Sequence, residues 1–146
     1  MASFAFPGVE LKRAAMIERE TRASSAPAAA TILLVEDEAL IRTVMAEGLR
    51  DEGFTVIEAA DAAEALAVLA AGLQVDVLFT DVRMPGTMDG LALARVVART
   101  RPDIGVIVTS GHLVERPSEL EEPILPKPYL IPEAVRRIRR VLDRRP

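Results

Sequence analysis

The sequence predicts an α/β domain: one doubly wound, five-stranded parallel sheet with helices on both faces and a shortened fourth helix. Three observations carry this. From Thr31 onward, short apolar runs alternate with stretches of helical period. The runs are continuously apolar, which suits strands buried on both faces of a sheet. Polar residues and glycines or prolines bound them. Strands joined through helices imply right-handed crossovers and a parallel sheet covered on both sides.

Taken in order, Thr31 to Val35 is a β-branched, apolar run that ends in Glu36-Asp37-Glu38. Leu40, Ile41, Val44, Met45 and Leu49 then keep a helical period, closed by Asp51-Glu52-Gly53. Phe54 to Ile57 is the second strand. Asp61 and Glu64 form a capping-box start, and Ala62, Ala65, Leu66 and Leu69 continue that helix to Gly72. The third strand runs from Val75 to Phe79 and exits at Asp81, before Pro85 and Gly86 stop regular structure. Asp89 or Gly90 opens the third helix, with Leu91, Ala94, Val97 and Ala98 facing inward. Ile104 to Val108 is the fourth strand, leaving through Thr109-Ser110-Gly111.

The next stretch departs from this regularity. Pro117 and Pro123 leave space for little more than a turn around Ser118 to Glu121, so the fourth helix is expected to be short or broken. Ile124 and Leu125 make a brief fifth strand, followed by Pro126-Lys127-Pro128-Tyr129. Ile131, Val135, Ile138 and Leu142 repeat at helical spacing, with Pro132 in the first turn. Arg136, Arg137, Arg139 and Arg140 on the opposite side read as a solvated face.

The chain of 146 residues holds one domain with a substantial core. With four phenylalanines, one tyrosine and no tryptophan, that core is aliphatic. Residues 1–30 read as a leader, disordered or partly helical, with Met16 as an alternative start. The domain is expected over 31–144, with 145–146 as a tail. A net charge of −4 argues against a nucleic-acid surface, and no apolar run is long enough for a membrane span. The absence of cysteine fits a reducing compartment, so a cytoplasmic location is expected.

Chemistry concentrates at the strand exits. Glu36 and Asp37 leave the first strand and Asp81 the third, and in a parallel sheet those exits share one edge. Clustered carboxylates raise one another's pKa unless a cation joins them. A hard divalent ion such as Mg²⁺ suits that oxygen set. The fourth strand adds the Thr109 hydroxyl and the fifth the Lys127 ammonium. A nucleophile, a metal, a hydroxyl and a positive charge are the parts needed to hold a phosphoryl group on Asp81.

The segments Ile-Leu-Leu-Val-Glu-Asp-Glu, Phe-Thr-Asp-Val-Arg-Met-Pro, Ile-Val-Thr-Ser-Gly-His and Leu-Pro-Lys-Pro-Tyr resemble the receiver domain of bacterial two-component response regulators. The resemblance covers residues 31–144 and implies a flavodoxin-like strand order of 2-1-3-4-5. It implies that Asp81 is the phosphoacceptor, taking phosphate from a phosphohistidine on a sensor histidine kinase or histidine phosphotransfer protein. It further implies that Asp37, Asp81 and the backbone carbonyl of Arg83 ligate Mg²⁺, with Glu36 acting mostly through water on the metal. Thr109 and Lys127 would contact the phosphoryl oxygens. Self-dephosphorylation would be slow at most, so the domain is not expected to be an enzyme.

Several features depart from the family pattern. Ile124 stands where an aromatic switch residue is usual, three positions before Lys127. Tyr129 is expected to pack against the last helix. Gly86-Thr87 lengthens the loop after Asp81, and Leu130 replaces a polar helix cap. The chain's end shortly after the last helix suggests a stand-alone module acting by protein contact or as a phosphate sink, with a second copy of itself as a candidate partner.

Other classes fit less well. A haloacid-dehalogenase-like phosphohydrolase would need an acid two residues after its nucleophile, where this chain has Arg83. A flavin binder would need glycines and hydroxyls at the acidic first turn. A receiver-like scaffold that is never phosphorylated is the remaining alternative. His112, the lone histidine, reads as a loop residue.

Overall fold

Ile32, Leu33, Leu34 and Val35 are all buried, although successive residues of a strand point to opposite faces. Only a sheet covered on both sides satisfies that run. The computed structural model describes residues 29–145, so the expected leader, apart from its last two residues, and Pro146 lie outside the described residues. The elements are β1 (Thr31–Val35), α1 (Ala39–Asp51), β2 (Thr55–Ala59), α2 (Ala62–Ala70), β3 (Val77–Asp81), α3 (Gly90–Thr100), β4 (Gly105–Ser110), β5 (Leu125–Pro126) and α4 (Ile131–Asp143). The strands lie in the order β2-β1-β3-β4-β5 and all pairs are parallel, as expected.

The alternation along the strands sorts the core into two layers. Ile32, Leu34, Phe79 and Ile107 meet Met45, Ala46 and Leu49 of α1 and Ala134, Val135, Ile138 and Val141 of α4. On the other face Leu33, Val35 and Leu78 meet Ala62 and Ala65 of α2 and Leu93 and Val97 of α3. Each fully buried large aliphatic side chain stabilises the fold by roughly 1.5–3 kcal/mol, so these layers fix the sheet on which the strand exits are mounted.

Strand ends extend further than the hydropathy indicates. β3 includes Asp81 and β4 includes Thr109 and Ser110, because the ladder continues after the apolar run has ended. Asp81 lies opposite Thr109, and Thr109 opposite Leu125. The fifth strand is shifted by one residue, to Leu125–Pro126.

Local signals work as physical chemistry requires. The Asp61 carboxylate accepts from the Glu64 N–H at 2.8 Å, while the Glu64 carboxylate reaches back to the Ala60 N–H at 2.7 Å. Asp89 caps α3 by accepting from the Ala92 N–H at 2.8 Å. Leu130 gives α4 no side-chain cap, and Pro132 stands in its first turn. At the end of the sheet where β1 begins, Asp76 accepts from the Thr31 N–H at 2.7 Å and from the Arg145 guanidinium at 3.0 Å.

Among the described residues, the segment between β4 and β5 contains no helix. A single turn remains, in which the Leu120 N–H donates to the Pro117 carbonyl at 3.1 Å. Leu120 is buried against Ala94 and Val108, so one side chain covers the sheet where a helix would otherwise lie.

Gly90 positions α3 against the exit of β3. Its N–H donates to the Val82 carbonyl at 2.8 Å, and a Cβ there would lie 1.6 Å from the Asp81 carbonyl oxygen. Gly90→Ala is therefore expected to destabilise the domain by about 1–3 kcal/mol or more through overpacking. Urea unfolding measures this; unchanged stability would mean that the approach relaxes freely.

Candidate functional site

Parallel pairing of β1 with β3 brings their exits side by side. Glu36, Asp37 and Asp81 each offer a carboxylate oxygen within 4.8 Å of the others. Glu36 is buried, Asp81 half-buried and Asp37 exposed. The Lys127 ammonium donates to Asp81 Oδ2 at 3.0 Å. Its backbone N–H donates to the Ser110 carbonyl at 2.8 Å, and the following Lys127–Pro128 peptide is cis. Thr109, buried, lies beside Asp81 in register. Residues from four strand exits thus meet at one rim.

Arg83, two residues past Asp81, has an exposed side chain with no ion pair or hydrogen bond among the described residues. His112 lies in the turn after β4, where its N–H donates to Ser110 Oγ at 3.1 Å. That is the loop role its sequence suggests.

The electrostatics follow from burial and crowding. Burial pushes the Glu36 carboxyl up to about 7; Lys127 counters this, while Asp81, Asp37 and Glu38 add to it. Arg42 secures Glu36 from α1, donating to its carbonyl at 2.7 Å and approaching Glu58 at 3.6 Å. This cluster fits a hard cation: all its donors are oxygens, and one carboxylate is held against its solvation preference until positive charge arrives.

Tyr129 packs on the core layer that holds Ala134, Val135 and Ile138 of α4 together with Met45 and Phe79. Its ring meets Phe79 edge-on at 6.0 Å between centroids, and its hydroxyl donates to Met45 Sδ at 3.7 Å. It therefore packs under the acidic rim and against α1. Burial raises its pKa strongly, with the Glu36 and Asp81 charges adding and the Thr109 hydroxyl opposing.

Residues 32–118 match the family described as the response regulator receiver domain. The chain belongs to that family. This receiver is 34% identical over 137 residues to the sensor kinase CckA of Brucella abortus, covering 90% of this chain and 14% of that protein. It is 35% identical over 123 residues to the C4-dicarboxylate transport transcriptional regulatory protein DctD of Rhizobium meliloti, covering 81% of this chain and 26% of that one. It thus spans about a quarter or less of these curated relatives. Among solved structures it is similar to a response regulator receiver protein from Sinorhizobium medicae, with a TM-score of 0.73 and 30% identity over 81% of this chain and 98% of that one. The receiver domain of the hybrid histidine kinase CckA gives a TM-score of 0.65 and 35% identity over 77% and 98%. Receivers are signalling domains that typically bind Mg²⁺ at an acidic pocket, and this receiver has such a pocket. Among the described residues no helix is long and apolar enough to cross a membrane.

The close approach at Gly90, the contacts of Arg42 and those of Tyr129 with Phe79 and Met45 were not read from the sequence. Gly90 next to the Asp89 cap was a usable signal for close approach; the other two depend on tertiary packing alone.

The Glu36 shift carries a pH dependence. Its folded pKa of about 7 stands above the ordinary 4.5, so the folded chain binds the proton more tightly than the unfolded one. The resulting penalty on folding is absent below the unfolded pKa and complete above the folded one. Without divalent ions, thermal stability is expected to fall as the pH rises from about 5 to about 8, and Glu36→Gln to flatten that slope. Melting curves across this range check it; equal slopes for the two proteins would refute it.

Proposed function

We propose that this receiver is a phosphoacceptor in a two-component phosphorelay, with Asp81 taking the phosphoryl group from a phosphohistidine. The observation that carries the reading is the 3.0 Å contact between Lys127 and Asp81 at a rim shared with Glu36 and Asp37. An Asp81 carboxylate oxygen attacks phosphorus in line, the P–N bond to the donor imidazole breaks, and an aspartyl phosphate forms. The imidazole leaves with the electron pair of that bond and is protonated from solvent.

Within this reading Lys127 orients the attacking carboxylate and then balances charge on the phosphoryl oxygens. Thr109, beside Asp81 in register, donates its hydroxyl to one of those oxygens. Asp37, Asp81 and the Arg83 backbone carbonyl would hold Mg²⁺, with Glu36 one step further out. When bound, the ion supplies positive charge that neutralises the crowded oxygens. Slow attack by water returns the free carboxylate.

A protein donor is supported by the surface beside the rim. A groove of about 600 Å³ adjoins Lys127, lined by Leu40, Ile41, Val44, Pro128 and Tyr129. Leu40 and Val44 are 77% and 51% exposed, an unusual display of apolar side chains that suits a helix of a kinase or phosphotransfer protein. The phosphorylated domain then signals by protein contact or serves as a phosphate sink.

Incubation with acetyl phosphate and Mg²⁺ is expected to add the mass of one phosphoryl group, labile to hydroxylamine and located at Asp81. Asp81→Asn should abolish the addition and Lys127→Ala should slow it by about a hundred-fold. Modification of Asp81→Asn to the same extent would sink the reading. Mg²⁺ should also raise the melting temperature, and Asp81→Asn should reduce that gain; titration followed by calorimetry measures the difference.

A further inference from the structure

β5 is only two residues long, yet Lys127 follows directly at its exit. Pairing between β4 and β5 is confined to Thr109–Leu125 and Ser110–Pro126; Gly105–Val108 have no partner in β5. So short a ladder gives little local stability to the loop that holds an ammonium against Asp81.

The residues leading into β5 are secured by another means. Glu122 is 5% exposed, and its carboxylate accepts from Arg140 Nη2 at 2.7 Å and from Arg144, with Arg137 Nη1 at 3.8 Å. Arg137 also donates to the Pro123 carbonyl at 2.6 Å, and Arg116 to the Glu121 carbonyl at 2.6 Å. These two carbonyls, which a longer strand would satisfy by pairing, are satisfied by guanidinium groups instead. Arg137 and Arg140, from the face that reads as solvated in the sequence, therefore grip the incoming segment together with Arg144, while Arg136 and Arg139 of that face are exposed.

The connectivity gives this grip its consequence. From Glu122 the chain runs through β5, Lys127 and Tyr129 into α4, and α4 with its C-cap Arg144 returns three arginines to Glu122. The loop is closed on itself, with Lys127 inside it. A carboxylate so nearly sealed from water tolerates loss of its partners poorly, which makes the closure rigid.

We propose that Glu122 is a positioning residue: gripped by Arg137, Arg140 and Arg144, it fixes the segment entering β5 and so sets Lys127 against Asp81. The inference rests on the reading of Asp81 as phosphoacceptor. Two variants test it. Glu122→Gln removes the buried charge, so that opening the grip leaves no carboxylate unpaired in the interior, and the double variant Arg140→Gln, Arg144→Gln opens it from the arginine side, at side chains that are 48% and 54% exposed. Arg139→Gln is the control, since Arg139 belongs to the same helix but pairs with Glu52 at 3.1 Å.

Two readouts are taken: phosphoryl uptake from acetyl phosphate with Mg²⁺, and emission of Tyr129, the single tyrosine of a chain without tryptophan. Both grip variants are expected to lose uptake on the order of ten-fold to a hundred-fold and to shift Tyr129 emission, with the control unchanged in both. A purely structural role would lower the melting temperature without changing either readout in the folded protein. Folded grip variants with parental uptake and emission would overturn the proposal, as would equal losses in Arg139→Gln. If the double arginine variant fails to fold, Glu122→Gln, which leaves no buried charge without a partner, decides. If the parent protein takes up no phosphate, the phosphoacceptor reading fails, while Tyr129 emission still reports whether Glu122 sets the loop.

Discussion

Crowding of negative charge where β1 and β3 leave the sheet is the constraint around which this receiver is arranged. A parallel sheet directs every strand exit to one rim, and adjacency of β1 and β3 brings Glu36, Asp37 and Asp81 together there. Burial then makes the Glu36 charge expensive. Lys127 offsets part of the repulsion by contact with Asp81. The remainder favours any group that brings positive charge, so the site is prepared electrostatically for a cation.

Much of this arrangement was legible in the sequence because its causes are local. The continuous run Ile32 to Val35 could only be buried on both faces, and the abrupt change to Glu36 and Asp37 marked the strand exit. Asp61 and Asp89 announced helix starts through caps that the structure contains. The two prolines around Glu119 foretold the loss of a helix. Strand limits were less legible, since the ladder outlasts the apolar pattern at Asp81 and Thr109. What could not be read was which side chains meet away from the strand exits. The arginines of α4 carry the same charge and spacing whether they face water or Glu122, and only the path of residues 119–123 decides between these. The contacts of Tyr129 with Phe79 and Met45 likewise depend on how the core layer closes.

The region between β4 and β5 shows two ways of covering the same sheet face. A helix would satisfy its own backbone and bury a stripe of side chains. Here one leucine does the burying, and side chains from neighbouring elements satisfy the backbone. Arg95 adds a bridge to Glu119 at 2.5 Å from the α3 side. Such a segment depends on charged partners at both flanks and has few ladder bonds of its own.

The Asp76 junction has a geometric consequence. By accepting from both Thr31 and Arg145, Asp76 ties the first strand and the end of the last helix together at the pole of the sheet farthest from Asp81. Polypeptide grafted ahead of β1 or behind α4 would therefore emerge away from the acidic rim. A domain or a surface joined at that pole would leave the edge that carries Glu36, Asp37 and Asp81 uncovered.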